Sequence, residues 1–173
     1  MKKIIITLVA LFVLGGSASA QWNMGARIHE GWGLGAEFSL QRILSDANRI
    51  ELDLGLTWGN GPEHHWMYTT ATGTYQWTFP IVAGLQWFIG PGAQVGLYHH
   101  VYEPNSDFNE THVSLAAVAQ GGIEYNFDFP LQLAIDARPG VDLLGFGHKN
   151  DAVHGAVIRP WVYSFAFSVR YRF

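Results

Sequence analysis

Nine ionisable side chains, Arg27, Glu37, Glu51, Asp53, Glu124, Asp136, Arg138, Arg170 and Arg172, each stand between two apolar or small neighbours. Charges spaced in this way could line a polar pathway or a gate, or lock against one another as a plug of salt bridges. Eight histidines, His29, His64, His65, His99, His100, His112, His148 and His154, offer a second chemistry. Neutral imidazole is the commonest metal ligand, and its charge changes between about pH 5 and 8. His64, His65, His148 and His154 are the metal candidates, although their spacing is not that of a metal motif. Adjacent residues of an extended chain also point to opposite faces, which separates His64 from His65. A third constellation is His112-Val113-Ser114 with Glu124. Residues two apart share a strand face, as a base and a nucleophile must.

The elements that must position these groups are strands. Eight alternating segments can be marked: about Trp22 to His29, Leu34 to Ile43, Arg49 to Trp58, Tyr68 to Ile81, Leu85 to His99, His112 to Phe127, Leu131 to Leu144, and a last one ending at Phe173. The third is among the clearest, with Ile50, Leu52, Leu54, Leu56 and Trp58 alternating with Glu51, Asp53, Gly55 and Thr57. A strand shows i, i+2 and i+4 on one side, so each segment presents grease to one phase and polar groups to another. The Gly90-Pro91-Gly92 run predicts a bulge or kink in the fifth strand, because proline cannot donate to a ladder. Turns after the second, fourth and sixth strands are short. Connections after the third, fifth and seventh (about 59–67, 100–111 and 146–155) are longer and hold Pro, Asn, Asp and His.

Composition narrows the class further. Met1-Lys2-Lys3, an apolar run from Ile4 to Leu14, and Ala18-Ser19-Ala20 form a secretory signal peptide over 1–20, with the mature chain expected from Gln21. That run is too short for a spanning helix of about 20 residues. Without 1–20 the chain carries eight basic and fourteen acidic residues, a net charge of −6 with Lys149 as the only lysine. Such a chain offers nucleic acid no basic patch. It has no cysteine, so its stability must come from elsewhere than disulfides. A closed barrel supplies it, since every ladder hydrogen bond is made within the sheet.

Eight alternating strands would also fit a soluble, lipocalin-like periplasmic ligand binder, with apolar faces inward and charges toward water. The charge count argues for the opposite arrangement. Soluble surfaces carry far more Lys and Glu than these polar faces do, whereas roughly one charge per strand suits a narrow lumen. The apolar faces are then a lipid belt. Its aromatics fall in two tiers, Trp22, Trp77, Phe79, Trp87, Phe127 and Tyr171 near one interface and Trp58, Trp66, Tyr68 and Trp161 near the other. The terminal alternation Trp161, Tyr163, Phe165, Phe167, Val169, Tyr171, Phe173 is unbroken. Val169, Tyr171 and Phe173 are the expected signal to the barrel-assembly machinery of Gram-negative bacteria.

On these residues the chain resembles the small eight-stranded outer-membrane β-barrels of the OmpX/OmpA type, and more closely the outer membrane protein beta-barrel domain proteins of Bacteroidota. The resemblance is carried by Asn48-Arg49-Ile50-Glu51-Leu52-Asp53-Leu54-Gly55, Gly122-Ile123-Glu124-Tyr125-Asn126-Phe127, Leu133-Ala134-Ile135-Asp136-Ala137-Arg138-Pro139 and Val169-Arg170-Tyr171-Arg172-Phe173. It implies an all-β, antiparallel up-and-down transmembrane barrel over 21–173, located in the outer membrane among lipid and lipopolysaccharide. It assigns no reaction. The His112, Ser114 and Glu124 set is similar to that of PagL-type lipid A deacylases, which work from a lipid-facing surface. Here parity turns all three toward the lumen, and ten residues separate Ser114 from Glu124, about 33 Å along a strand. The expectation is therefore a monomer with a structural or surface-interaction role and no enzyme activity, its lumen filled and not open. No catalytic residue, cofactor or firm metal site is expected. A barrel that binds or passes a small solute or metal ion is the alternative, and a lipid A-modifying hydrolase a remote one.

Overall fold

A computed structural model describes residues 22–31, 33–60, 65–101, 111–143 and 162–173, the side chains of 59–60, 65–66, 99–101, 111–112 and 162 excepted. The expected leader, Trp161 and most of the three long connections lie outside the described residues. Eight strands follow in order: β1 (Trp22–Glu30), β2 (Leu34–Ser45), β3 (Asn48–Asn60), β4 (His65–Val82), β5 (Leu85–Val101), β6 (Thr111–Asn126), β7 (Leu131–Asp142) and β8 (Val162–Arg172). Each pairs antiparallel with the next, and β8 returns to β1, closing the barrel. The eight expected segments are these strands, most of them one to three residues longer at an end. No helix in the described residues is long and apolar enough to cross a membrane, which leaves strands as the spanning elements.

Register is held by period-two patterning. Arg27 stands opposite Glu37 and Ser168, Gln41 opposite Glu51, and Gly122 opposite Asp136, so polar positions face polar positions around the barrel. A one-residue slip would turn every charge into lipid. The short turns lie at one end, between β2 and β3, β4 and β5, and β6 and β7. Gly84 occupies the middle turn at φ 76°, a left-handed conformation that glycine adopts without a Cβ penalty. At this end too, the Phe173 N–H donates to the Trp22 carbonyl at 2.8 Å.

The bulge expected at Gly90-Pro91-Gly92 is not there. β5 runs through it, and register against β4 is the same on either side, Thr74 with Gly92 and Trp77 with Ile89. What proline removes is local: the pairs between these two are missing, while β5 stays paired to β6 throughout. Gly90 lets the strands close up here, since a Cβ would run into the Tyr75 carbonyl. Register instead shifts at Ile43/Ser45 and Pro80/Val82, both beside short turns.

The distribution of side chains is inverted relative to a soluble protein. Among the described residues five apolar side chains are buried against twenty-three polar or charged ones, while Leu54, Ile135, Phe165 and many like them are more than half exposed. That inversion decides the faces. The lipocalin-like arrangement would show the reverse, so the interior is the polar phase and the outer surface is built for lipid.

The charged lumen as candidate functional site

Alternation along β1, β2, β3, β6, β7 and β8 delivers charged side chains into the lumen in three tiers. Toward the long-loop end, Arg27 donates through Nη1 to Glu37 at 2.7 Å and through Nη2 to Asp136 at 2.7 Å. Arg138 reaches across from β7 to donate to Glu37 at 3.2 Å and to Asp53. In the middle tier Glu51 accepts from Arg170 and Gln41, both at 2.7 Å, and from Gln76 at 2.9 Å. Toward the short-turn end, Arg49 donates to Glu124 and to the Gln76 side-chain oxygen, each at 2.6 Å. Gln132 supports Glu124 at 3.0 Å.

Glutamines knit the tiers together. Gln120 donates to Asp136 at 3.2 Å and accepts from Thr74 and Gln76 at 3.1 Å. An ionised group costs several kcal/mol to bury even in a relaxed protein interior, and is stable there only when its remaining hydrogen-bond capacity is met. The amide groups meet much of it. Arg27, Glu51, Arg170, Gln41, Gln76 and Gln120 are 1% exposed or less. A network this buried holds its ions by mutual geometry.

Eight of the nine charges expected in the lumen are brought together in this way. Arg172 shares the face of Arg170, but it lies where the lumen meets the short-turn rim, and it donates to the Phe127 and Phe129 carbonyls at 2.6 and 3.3 Å. Arg49 is a member that the sequence pattern did not single out, although its parity with Glu51 and Asp53 is a usable signal. Gln41, Gln76, Gln120 and Gln132 share the parity of the polar faces as well, but their partners depend on which strands meet around the lumen. Phe88 is an apolar member of the same interior, fully buried with the Arg49 guanidinium 4.7 Å over its ring.

Tyr68 is a correction. It does not belong to the outer aromatic tier but points inward, where its hydroxyl lies 2.7 Å from Ser114 Oγ. Thr70, Thr72, Thr74 and Gln76 set that parity. Gly96 leaves room for the Tyr68 ring, which a Cβ would meet head-on. Trp58, Trp77, Phe79, Trp87 and Tyr171 do stand exposed on the lipid side, with Phe79 and Trp87 stacked at 4.3 Å.

The constellation of Ser114 and Glu124 is not assembled. Ser114 is engaged with Tyr68, and Glu124 with Arg49 and Gln132 at the other end of the lumen. The His112 side chain lies outside the described residues, as do those of His64, His65, His99, His100, His148 and His154. His29 is described: it is buried, with Nε2 3.3 Å from Thr57 Oγ1 and 3.8 Å from Glu37. No cluster of three metal-ligating side chains occurs among the described residues.

No family profile matches the chain, and no curated protein matches it in sequence. Solved structures do match. The chain is similar to the N-terminal β-barrel domain of OprF from Pseudomonas aeruginosa, with 14% identity and a TM-score of 0.64 over 88% of this chain and 97% of that one. It is similar to Neisserial surface protein A (12%, TM-score 0.60, 89% and 96%). It is also similar to a major outer membrane protein from Thermus thermophilus (12%, TM-score 0.60, 90% and 100%). At such identities the likeness is one of fold: a closed, antiparallel, eight-stranded barrel of the small outer-membrane type.

Proposed function

We infer that this chain, whose fold is that of the small eight-stranded outer-membrane barrels, is an integral outer-membrane protein with a structural or surface-interaction role, its lumen filled by its own polar side chains. The observation that supports this most strongly is the lumen itself. Three tiers of guanidinium, carboxylate and amide groups span its width with direct contacts, and eight strands leave an interior only wide enough for side chains. Conduction would require these ion pairs to separate inside a dry interior.

In this reading residues 1–20 direct export and are removed. Val169, Tyr171 and Phe173 address the assembly machinery, and the folded barrel is a monomer in contact with lipid and lipopolysaccharide. The long connections at the end opposite the short turns are the surface that meets a partner. The extra length of β4, β5 and β6 supports that orientation. They have 18, 17 and 16 residues, against the 9–11 or so that a spanning strand needs, so they carry the wall well beyond the belt.

The test is conductance of the purified barrel in a planar lipid bilayer, after its fold has been checked by a mobility shift between unboiled and boiled samples. The expected outcome is a shifting protein with no steady channel. A steady ohmic channel from the shifting species overturns the filled lumen and favours a barrel that passes small solutes.

A further inference from the structure

Among the described residues Arg42 is the only arginine or lysine on the lipid-facing side of the strands, in line with Phe38, Leu40 and Leu44 of β2. The other five arginines face the lumen or its short-turn rim. A cation on the lipid side is costly at the bilayer midplane and nearly free close to an interface. Arg42 stands at such an interface. It pairs with Trp22 at the start of β1, and its guanidinium lies 5.5 Å from the centre of the Trp22 ring. Trp22 shares the outward parity of Met24 and lies beside Phe173, at the same edge of the belt as the exposed Trp77, Phe79 and Trp87. A guanidinium laid over an indole presents its edge, and not its face, to an acceptor. That edge is a fork of donors suited to phosphate oxygens.

One strand farther round the wall, the belt thins. Ile50, the partner of Arg42 on β3, pairs in turn with Tyr75 on β4. With Gly73, Pro91 and Ala93 these two line a groove of about 470 Å³, apolar over most of its surface and open sideways to lipid. That volume falls in the range of about 300–1,000 Å³ usual for small-molecule sites. Neighbouring strands lie about 5 Å apart, so the near wall of the groove is within reach of the Arg42 side chain. The groove leads into the bilayer from the aromatic edge. On β4, Tyr75 and Gly73 follow Trp77 in the direction of the long connections, and on β5 Pro91 and Ala93 follow Trp87 and Ile89. No close packing requires the glycine at 73, since a Cβ there would meet nothing nearer than Leu52 Cδ2 at 3.4 Å. Its missing side chain is what leaves the groove open. A cation at the edge of the belt, with an apolar trough leading inward beside it, matches the two ends of a phospholipid.

We propose that this part of the outer wall holds one phospholipid: its phosphate accepts from the Arg42 guanidinium, and one of its acyl chains lies in the groove between Ile50 and Ala93. Any dent in the belt is refilled by lipid, but here a molecule is held at both ends. Stacking on Trp22 fixes the guanidinium before the lipid arrives, which lowers the cost of ordering it on binding. With the long connections outward, the short turns face the periplasm, and the lipid comes from the periplasmic-facing phospholipid leaflet. The site goes beyond the filled-lumen reading and rests on it only for that choice of leaflet.

The experiment is photo-crosslinking of the full barrel refolded in dodecyl maltoside, a detergent without phosphate. The probe is a trace of phosphatidylglycerol with a diazirine partway along one acyl chain, and the labelled peptides are located by mass spectrometry. Each sample is first checked for folding by its mobility shift on boiling. The expected result is labelling concentrated on β3, β4 and β5 around the groove, displaced by excess unlabelled phosphatidylglycerol and not by the diacylglycerol with the same chains. Arg42→Gln should lower that labelling about tenfold, the loss of one charge-assisted hydrogen bond. Gly73→Leu, which fills the groove, should abolish it there. Should either variant fail to fold, Arg42→Met and Ala93→Leu make the same two tests. Labelling spread evenly round the barrel, displacement by diacylglycerol as readily as by phosphatidylglycerol, or labelling unchanged by loss of the Arg42 charge or by filling the groove overturns the proposal. Failure here is distinct from failure of the filled lumen, since cross-linking reads the outer wall and conductance the inside of the barrel.

Discussion

The two faces of β3 obey different rules over the same eight residues. Arg49, Glu51 and Asp53 are at most 1% exposed and bonded to the adjacent β4 and across the lumen to β6, β7 and β8, whereas Leu52, Leu54 and Leu56 are 38–63% exposed. Inside, each group is specified by the position of a partner that can be more than a hundred residues away, as Arg170 is from Ser39 and Glu51. Outside, a residue is specified only by the phase it meets. Lipid refills whatever shape the belt presents, and a lumen ion cannot be refilled. The inner face should therefore be intolerant of substitution in kind and the outer face only of a change in polarity.

The largest expected effect comes from breaking an inner pair. Arg170→Met leaves Glu51 ionised and buried, and should cost about 3–5 kcal/mol, read as a lowered urea midpoint for the barrel refolded in liposomes. Coupling it with Glu51→Leu should restore most of that loss, because removing both ions leaves no buried charge uncompensated. A double variant as weak as the single one would show that the tier is held by more than the ion pair. On the outer face Leu54→Arg puts a cation near the middle of β3, at a cost of about 2–4 kcal/mol if that point lies at the bilayer midplane. The same unfolding experiment measures it, and a negligible change would place Leu54 out of the belt.

Smaller effects sharpen the contrast. Gly84→Ala forces a side chain into the left-handed region, where the penalty is roughly 1–2 kcal/mol, and aims its Cβ at the Asn126 carbonyl. Slower refolding from urea, with unchanged mobility of the final barrel, is the outcome that fits a turn defect. The least effect should come from Leu54→Ile, which changes shape but not phase and should stay within about 0.5 kcal/mol of wild type. A larger loss would mean that this part of the belt packs against something more specific than lipid.

The alternation of single residues makes the strands, their number and the polarity of each face legible from sequence alone. Arg27, Glu37, Asp136 and Arg138 can be assigned to one phase because each sits between apolar or small neighbours. Parity is also the signal for Arg49 and Tyr68, but an arginine at the start of a strand and a tyrosine beside a loop are easily taken for rim residues. At Gly90-Pro91-Gly92 the local break came without a bulge, for a physical reason: a proline without an N–H removes pairs from one ladder only, and the other ladder holds the register.

Local pattern by itself determined that this chain is a set of two-faced strands, because a period of two is a property of consecutive residues. Which charge meets which was decided only by closure of the barrel. Arg138 finds Glu37 and Asp53, and Arg49 finds Glu124, through the curvature that brings distant strands across one narrow lumen. That Asp53 keeps Oδ1 buried without a hydrogen-bond partner likewise appears only after those partners are allotted, since pairing belongs to the enclosed volume and not to any one segment.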